Sequence, residues 1–208
     1  MNLAGNIRDR IQSVLRAVAE GELIPENAIQ NISELMTTPL EFSLIDEGRF
    51  ERTGLPEVIY GEGKNIIQLT EIVHHYLNER KPVLITRLCE GKAVALQEKF
   101  DAVDYDPVSR LMWNGSKQPT SPRYEGNICV VCAGTSDVPV AEEAAQSAEW
   151  FGAEVVRVWD VGVAGIHRLF ERTADLRRAQ VVVVVAGMEG ALPSVVAGLV
   201  SAPVIAVP

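Results

Sequence analysis

The chain has 208 residues, 47% of them hydrophobic and 23% charged, which is enough for one ordinary domain and a smaller companion. A net charge of -9 and a pI near 4.9 argue against a nucleic-acid surface, because phosphate binding draws on clustered Lys and Arg. No apolar run approaches the roughly 20 residues that span a bilayer, and the first ten residues lack an apolar signal core, so the expectation is a cytoplasmic protein off the membrane. Three cysteines, Cys89, Cys129 and Cys132, make no disulfide framework and agree with a reducing compartment.

In chain order, Ile7, Ile11, Val14, Leu15 and Val18 recur at helical spacing, which predicts an amphipathic helix over about 6–20 closed by Gly21. Pro25 suits the first turn of a second helix, with Ile29, Ile32 and Leu35 on one face. Residues 1–45 thus read as a helical segment for packing or docking. From Asp46 to Lys64 the sequence DEGRFERTGLPEVIYGEGK changes character, with Arg49 and Arg52 among acids and a short strand at 57–60 between glycines and prolines. Gly61 to Lys64 lacks the spacing of a Walker loop and reads as a solvated turn.

Residues 65–80 are helical, 83–86 a strand and 93–100 a helix, so 46–115 is expected to be a small α/β domain built on a βαβ unit. Adjacent His74 and His75 point in different directions on that first helix, one to the surface and one into packing. The polar stretch SKQPTSPR, with two prolines, begins a linker at 116–126.

After it, strand and helix alternate through 127–208, which predicts a doubly wound parallel sheet. NICVVCAGTSDVPVA reads as strand, tight loop and helix, with Gly134, Thr135, Ser136 and Asp137 in the loop. Such a loop faces the free amides of a helix start and suits an anion or a sugar; the alternative is that one of its polar residues only caps the helix. A strand at 154–158 leads through 160–165 to a helix over about 166–179 carrying His167 and Arg168. Five consecutive valines, 181–185, predict a strand covered on both faces, followed by AGMEGALP with Gly187, Met188, Glu189 and Gly190.

In a right-handed doubly wound sheet the first and third of these strands are neighbours, so their two loops would wall one cleft and the His167 loop would rim it. His167 can move protons near neutral pH, Asp137 can bind ribose hydroxyls or a metal, and Glu189 can act as a base or orient a substrate. Arg168 can grip a phosphate, or merely complete a polar helical turn with His167. Cys129 and Cys132 fall on a strand, facing opposite sides, and read as core and not as a redox pair.

The series AGTSD, AGIHR and AGMEGALPSVVAGL, together with GRFERTGLPEVIYGEGK upstream, resembles the LarB family of nickel-pincer nucleotide biosynthesis carboxylase/hydrolases, and more distantly the PurE family of aminoimidazole ribonucleotide carboxylases and mutases. The resemblance implies a PurE-like, flavodoxin-like second domain. It also implies carboxylation of nicotinic acid adenine dinucleotide at pyridinium carbon 5 and hydrolysis of its phosphoanhydride, releasing AMP. Bicarbonate or carbon dioxide would be the co-substrate, a divalent metal such as magnesium would assist hydrolysis, and no organic cofactor would be tightly bound. By position, Ser136 and Asp137 fall on the pair that contacts ribose phosphate, His167 on the proton-transfer position and Arg168 on a phosphate contact. PurE relatives carry a histidine where this chain has Ala191. The family likeness implies a homo-oligomer, an octamer in PurE-like domains. LarB-like chains run on to a cysteine held to add to the ring, so Pro208 is read as the end of a truncated copy. The alternatives are an aminoimidazole ribonucleotide carboxylase and a nucleotide-binding module without turnover.

Overall fold

The computed structural model describes residues 5–115 and 124–208. The polar stretch 116–123, and with it most of the expected linker, lies outside the described residues. Contacts group the chain into two units, residues 1–59 with 63–84 and residues 60–62 with 85–208.

The first unit opens with α1 (Gly5–Ala19) and α2 (Pro25–Leu35), joined through Gly21 in the left-handed conformation. The sequence placed Ile29 on the apolar face of α2. The structure buries Ala28 instead and leaves Ile29 68% exposed. The reading of 1–45 as wholly helical is also corrected, because β1 (Thr37–Leu40) and β2 (Ser43–Asp46) form an antiparallel hairpin there. Pro39 argues against a central strand, but a two-stranded ribbon has only edges and tolerates it. A short helix, α3 (Arg49–Thr53), follows and ends at left-handed Gly54.

Strand β3 (Ile59–Tyr60) leads to α4 (Ile66–Asn78). Asn65 and Gln68 cap α4 reciprocally, each side chain accepting the other's backbone N–H at 3.0 Å. Leu69, Ile72, Val73 and Tyr76 form its buried face, as the periodicity requires. His74 is exposed, while His75 is half-buried with Nε2 2.7 Å from Glu47 Oε1.

The unit boundary runs through β3 and β4 (Leu84–Thr86), which belong to a sheet of order β3-β4-β6-β5. Gly61 has a structural reason rather than a phosphate-binding one: a Cβ there would lie 2.9 Å from the Thr86 carbonyl oxygen that accepts the Gly61 N–H. After α5 (Glu90–Gln97), β5 (Val103–Asp106) and β6 (Leu111–Asn114) form an antiparallel hairpin that the βαβ reading had missed.

Buried Gln146, on α6 (Val138–Trp150), ties that hairpin to the rest of the second unit. Its Nε2 donates to Asp106 Oδ2 at 2.8 Å and its Oε1 accepts from the Ser109 hydroxyl at 3.0 Å. Gln146→Ala removes both bonds while Asp106 goes on accepting from Ser109, at 2.9 and 2.6 Å, and is expected to cost about 1–2 kcal/mol in urea denaturation; an unchanged midpoint would show that the hairpin does not depend on it.

The second sheet of this unit is wholly parallel, with β7 (Asn127–Cys132), β8 (Glu154–Val158), β9 (Val181–Val185) and β10 (Val204–Val207) in the order β10-β9-β7-β8. The first strand therefore lies between the second and the third, as the doubly wound reading requires. One face packs Cys129, Val131, Val182 and Val184 against Leu169, Leu176, Leu192 and Val196. These four come from α7 (Ile166–Glu171), α8 (Thr173–Arg178) and α9 (Leu192–Ala197). The other face packs Val130, Cys132 and Val185 against Ala141 and Ala145 of α6. Helices on both faces explain why β9 carries five valines with no polar alternation.

The single helix expected over 166–179 is two. The chain breaks at Arg172 (φ -100°, ψ 8°), where the Thr173 hydroxyl donates to the Phe170 carbonyl at 2.7 Å and Arg172 Nε donates to Asp175 at 2.7 Å. These side-chain bonds compete with continuation of the helical ladder, and the periodicity of apolar residues across the break conceals it. No helix among the described residues is long and apolar enough to cross a membrane.

Candidate functional site

The loops that leave β7, β8 and β9 emerge at the carboxyl end of the parallel sheet and are bonded to one another. After β7, Ala133 and Gly134 lead into a 3-10 turn over Thr135–Asp137 and then into α6. Asp137 folds back within this turn, its Oδ2 accepting the Gly134 N–H at 2.9 Å. Its other oxygen, Oδ1, accepts the N–H of Gly187 in the loop after β9, at 3.4 Å. One half-buried carboxylate thus spans two loops fifty residues apart in sequence. The alternative account, in which Asp137 only caps the helix, does not hold: its side chain bonds no amide of α6 and accepts instead from Gly134 and Gly187.

The loop after β8 is pinned to the same place. Gly162 donates to the Ala133 carbonyl at 2.8 Å, and Val161 to the Cys132 carbonyl at 3.1 Å. A Cβ on Gly162 would lie 2.9 Å from the Ala133 oxygen, a backbone atom that cannot swing aside. Gly162→Ala is therefore expected to destabilise by about 1–3 kcal/mol; a denaturation midpoint equal to that of the wild type would show the two loops to be independent.

The expected site residues divide into groups. Gly134, Asp137 and Gly187 are brought together by direct hydrogen bonds. Thr135 and Ser136 are exposed on the turn, and neither hydroxyl has a hydrogen-bond partner among the described residues. His167 is exposed on α7, just past the loop pinned by Gly162, and is likewise unpartnered among them. Arg168 is committed elsewhere, to an ion pair with Asp160. Asp160 adopts a left-handed backbone (φ 57°) on the way out of β8, and this turn brings its carboxylate to Arg168.

Met188, 84% exposed, and Glu189 and Gly190 line the solvent side of the loop after β9. Glu189 and Gly190 are both left-handed, with φ of 54° and 61°. Gly190 adopts this readily, whereas Glu189 is held there against its preference, a kind of strain that concentrates at ligand loops. Sequence inspection missed both Asp160 and this conformation of Glu189; the Glu-Gly dipeptide was the available hint.

Thiol chemistry finds no support at the cysteines of the sheet. Burial pushes the Cys129 thiol up to about 11 and raises that of Cys132 as well, so both stay protonated and inert. Among the described residues no three or more His, Cys, Asp and Glu gather as a set that could hold a metal ion. With no such set, a magnesium ion beside Asp137 would take most of its ligands from substrate phosphate and water.

Two family models match the chain, the LarB/PurE-like N-terminal domain over residues 37–116 and AIR carboxylase over residues 127–208. Over 98% of its length the chain is 36% identical to an uncharacterised protein of Methanocaldococcus jannaschii, of which it covers 80%. The chain belongs to the LarB family. Over 84 residues this LarB-family chain is also 39% identical to the N5-carboxyaminoimidazole ribonucleotide mutase of the same organism, a match that covers 39% of the chain and 51% of the mutase. The PurE-like, flavodoxin-like architecture of its parallel sheet agrees with the AIR carboxylase match, and together the two models support a carboxylase-type role.

Proposed function

We propose that this LarB-family chain is a pyridinium-3,5-biscarboxylic acid mononucleotide synthase, acting on nicotinic acid adenine dinucleotide. The observation that carries this reading is the Asp137 carboxylate joining the loops after β7 and β9, which makes one ligand-facing floor from residues of both. The match of residues 37–116 to the LarB/PurE-like N-terminal domain, and Ala191 in place of the histidine of PurE relatives, favour a pyridine substrate over the purine precursor.

Two changes balance the reaction. A carbon–carbon bond forms between carbon dioxide and ring carbon 5 while that carbon loses a proton, and water cleaves the phosphoanhydride into the mononucleotide and AMP. The exposed hydroxyls of Thr135 and Ser136, at the positive end of α6, hold a phosphate. Asp137 fixes the spacing of the two loops on either side of the nucleotide. His167, on the rim, takes the proton that leaves carbon 5, and the Glu189 carboxylate orients the ring from the facing loop.

Chromatography of a reaction containing the chain, nicotinic acid adenine dinucleotide and bicarbonate is expected to show AMP accumulating with time. Turnover of aminoimidazole ribonucleotide in a parallel reaction, with no AMP in the first, would replace this reading with the purine one. Calorimetric binding of the dinucleotide without any AMP would leave only a nucleotide-binding module.

A further inference from the structure

A cavity of about 70 Å³ opens within the first unit. Much of its wall comes from the arginine-bearing stretch after Asp46, which the cleft in the second unit leaves unused. The walls carry three acids, and two of them are paired with cations. Asp46 accepts two hydrogen bonds from Arg52, at 3.0 and 2.5 Å. Glu47, 7% exposed, is held by Lys81, by His75 at 2.7 Å and by the Thr38 hydroxyl at 2.8 Å. Glu57 accepts the hydroxyl of buried Tyr76 at 3.2 Å through one oxygen, which leaves its other oxygen open.

The cations do not balance in the same way. Arg10 and Arg49 both line the cavity, both are exposed, and neither guanidinium makes a hydrogen bond or an ion pair with another described residue, although the charge of Arg49 acts on Asp46. Set against the Glu57 carboxylate, which has no cation partner, the two arginines leave one positive, guanidinium-borne charge for a visitor, a donor geometry that suits a carboxylate fork to fork. Phe50, the Tyr76 ring, Pro56 and Pro82 supply flat apolar wall. Size sets a further limit, since such a volume accommodates about five water-sized groups. A single ring with one substituent fits, and a nucleotide does not.

We propose that this cavity is a binding site for a small planar ring bearing one carboxylate. The carboxylate lies against Arg10 and Arg49, the ring against Phe50 and Tyr76, and the open oxygen of Glu57 accepts a donor on the ring. The site is separate from the cleft described above and does not rest on the function proposed for it.

The test is a titration of the full chain with benzoate, followed by amide chemical shifts in NMR and by calorimetry, with benzylamine and inorganic phosphate as comparison probes. The expected result is saturable shifts at Phe50 and Tyr76, with benzylamine and phosphate each about tenfold weaker or more, because neither offers both a forked anion and a flat apolar body. Arg10→Gln/Arg49→Gln removes two exposed, unpaired side chains, so the fold is expected to hold by circular dichroism while benzoate affinity falls about tenfold or more. The proposal is overturned if benzoate gives no saturable shift at Phe50 and Tyr76, or if the double variant binds it as tightly as the parent. Benzylamine or phosphate matching benzoate would overturn it equally, as would shifts confined to the Ser136 loop.

Discussion

Replacing Asp137 by alanine is expected to lower turnover of the dinucleotide about a hundredfold, the scale on which a misplacement of about 1 Å acts on a positioned reaction. The side chain does no chemistry of its own in this account. It holds the Gly134 amide at 2.9 Å and the Gly187 amide at 3.4 Å, and so sets the gap between the loops in which the proposed substrate would lie. Asp137→Asn keeps an acceptor for one amide and loses the charge, so an intermediate loss is expected. Because the carboxylate is half-buried and the longer contact is weak, the stability cost should stay near 1 kcal/mol. The distinguishing readout is hydrogen exchange at Gly187, which should quicken in the alanine variant. Full activity with unchanged exchange would mean that the two loops are positioned by something else.

Arg157→Met is expected to cost about 3 kcal/mol of stability, the range measured when one partner is removed from a buried ion pair. Arg157, on β8, grips Glu149 of α6 with Nη1 at 2.5 Å and Nη2 at 2.9 Å, and its Nε reaches Glu142 at 3.1 Å. The carboxylates are only 9% and 16% exposed, so deleting the guanidinium leaves two negative charges with little water. The hydrogen bonds it donates to Glu149 and Glu142 hold the Arg157 guanidinium above even its usual high range, against the opposing effect of burial. Adding Glu149→Leu should recover part of the loss, since an apolar replacement removes the stranded charge. Denaturant melts of the single and double variants measure this; an unaltered midpoint in the single variant would show the network to be decorative.

How much of this was legible in the sequence depended on the range over which each feature is determined. The valine strand, the Asn65 start of α4 and the loops at Gly134 and Gly187 follow from period and turn chemistry within a few residues, and the structure has each of them. The neighbouring of β7 and β9 follows from handedness alone. The hairpin at 37–46 was hidden because its strands are four residues long and one contains Pro39. The break at Arg172 was hidden because the apolar spacing runs through it. Side-chain partnerships were the least legible. Arg168, read as a phosphate contact, also pairs with Asp160 across the left-handed turn there, and no local pattern announces that partner. Glu47 likewise meets His75 and Lys81 from 28 and 34 residues away, in a stretch where the sequence showed only alternating charge.

The central claim is that one floor, made by the loops after β7 and β9, serves a pyridine dinucleotide as a carboxylation site. Mass spectrometry of the products formed from nicotinic acid adenine dinucleotide and carbon-13 bicarbonate tests it most directly. The account predicts a labelled dicarboxylated pyridinium mononucleotide appearing in step with AMP. A dinucleotide that stays intact and unlabelled, while a parallel reaction given aminoimidazole ribonucleotide yields its labelled carboxylate, would contradict it.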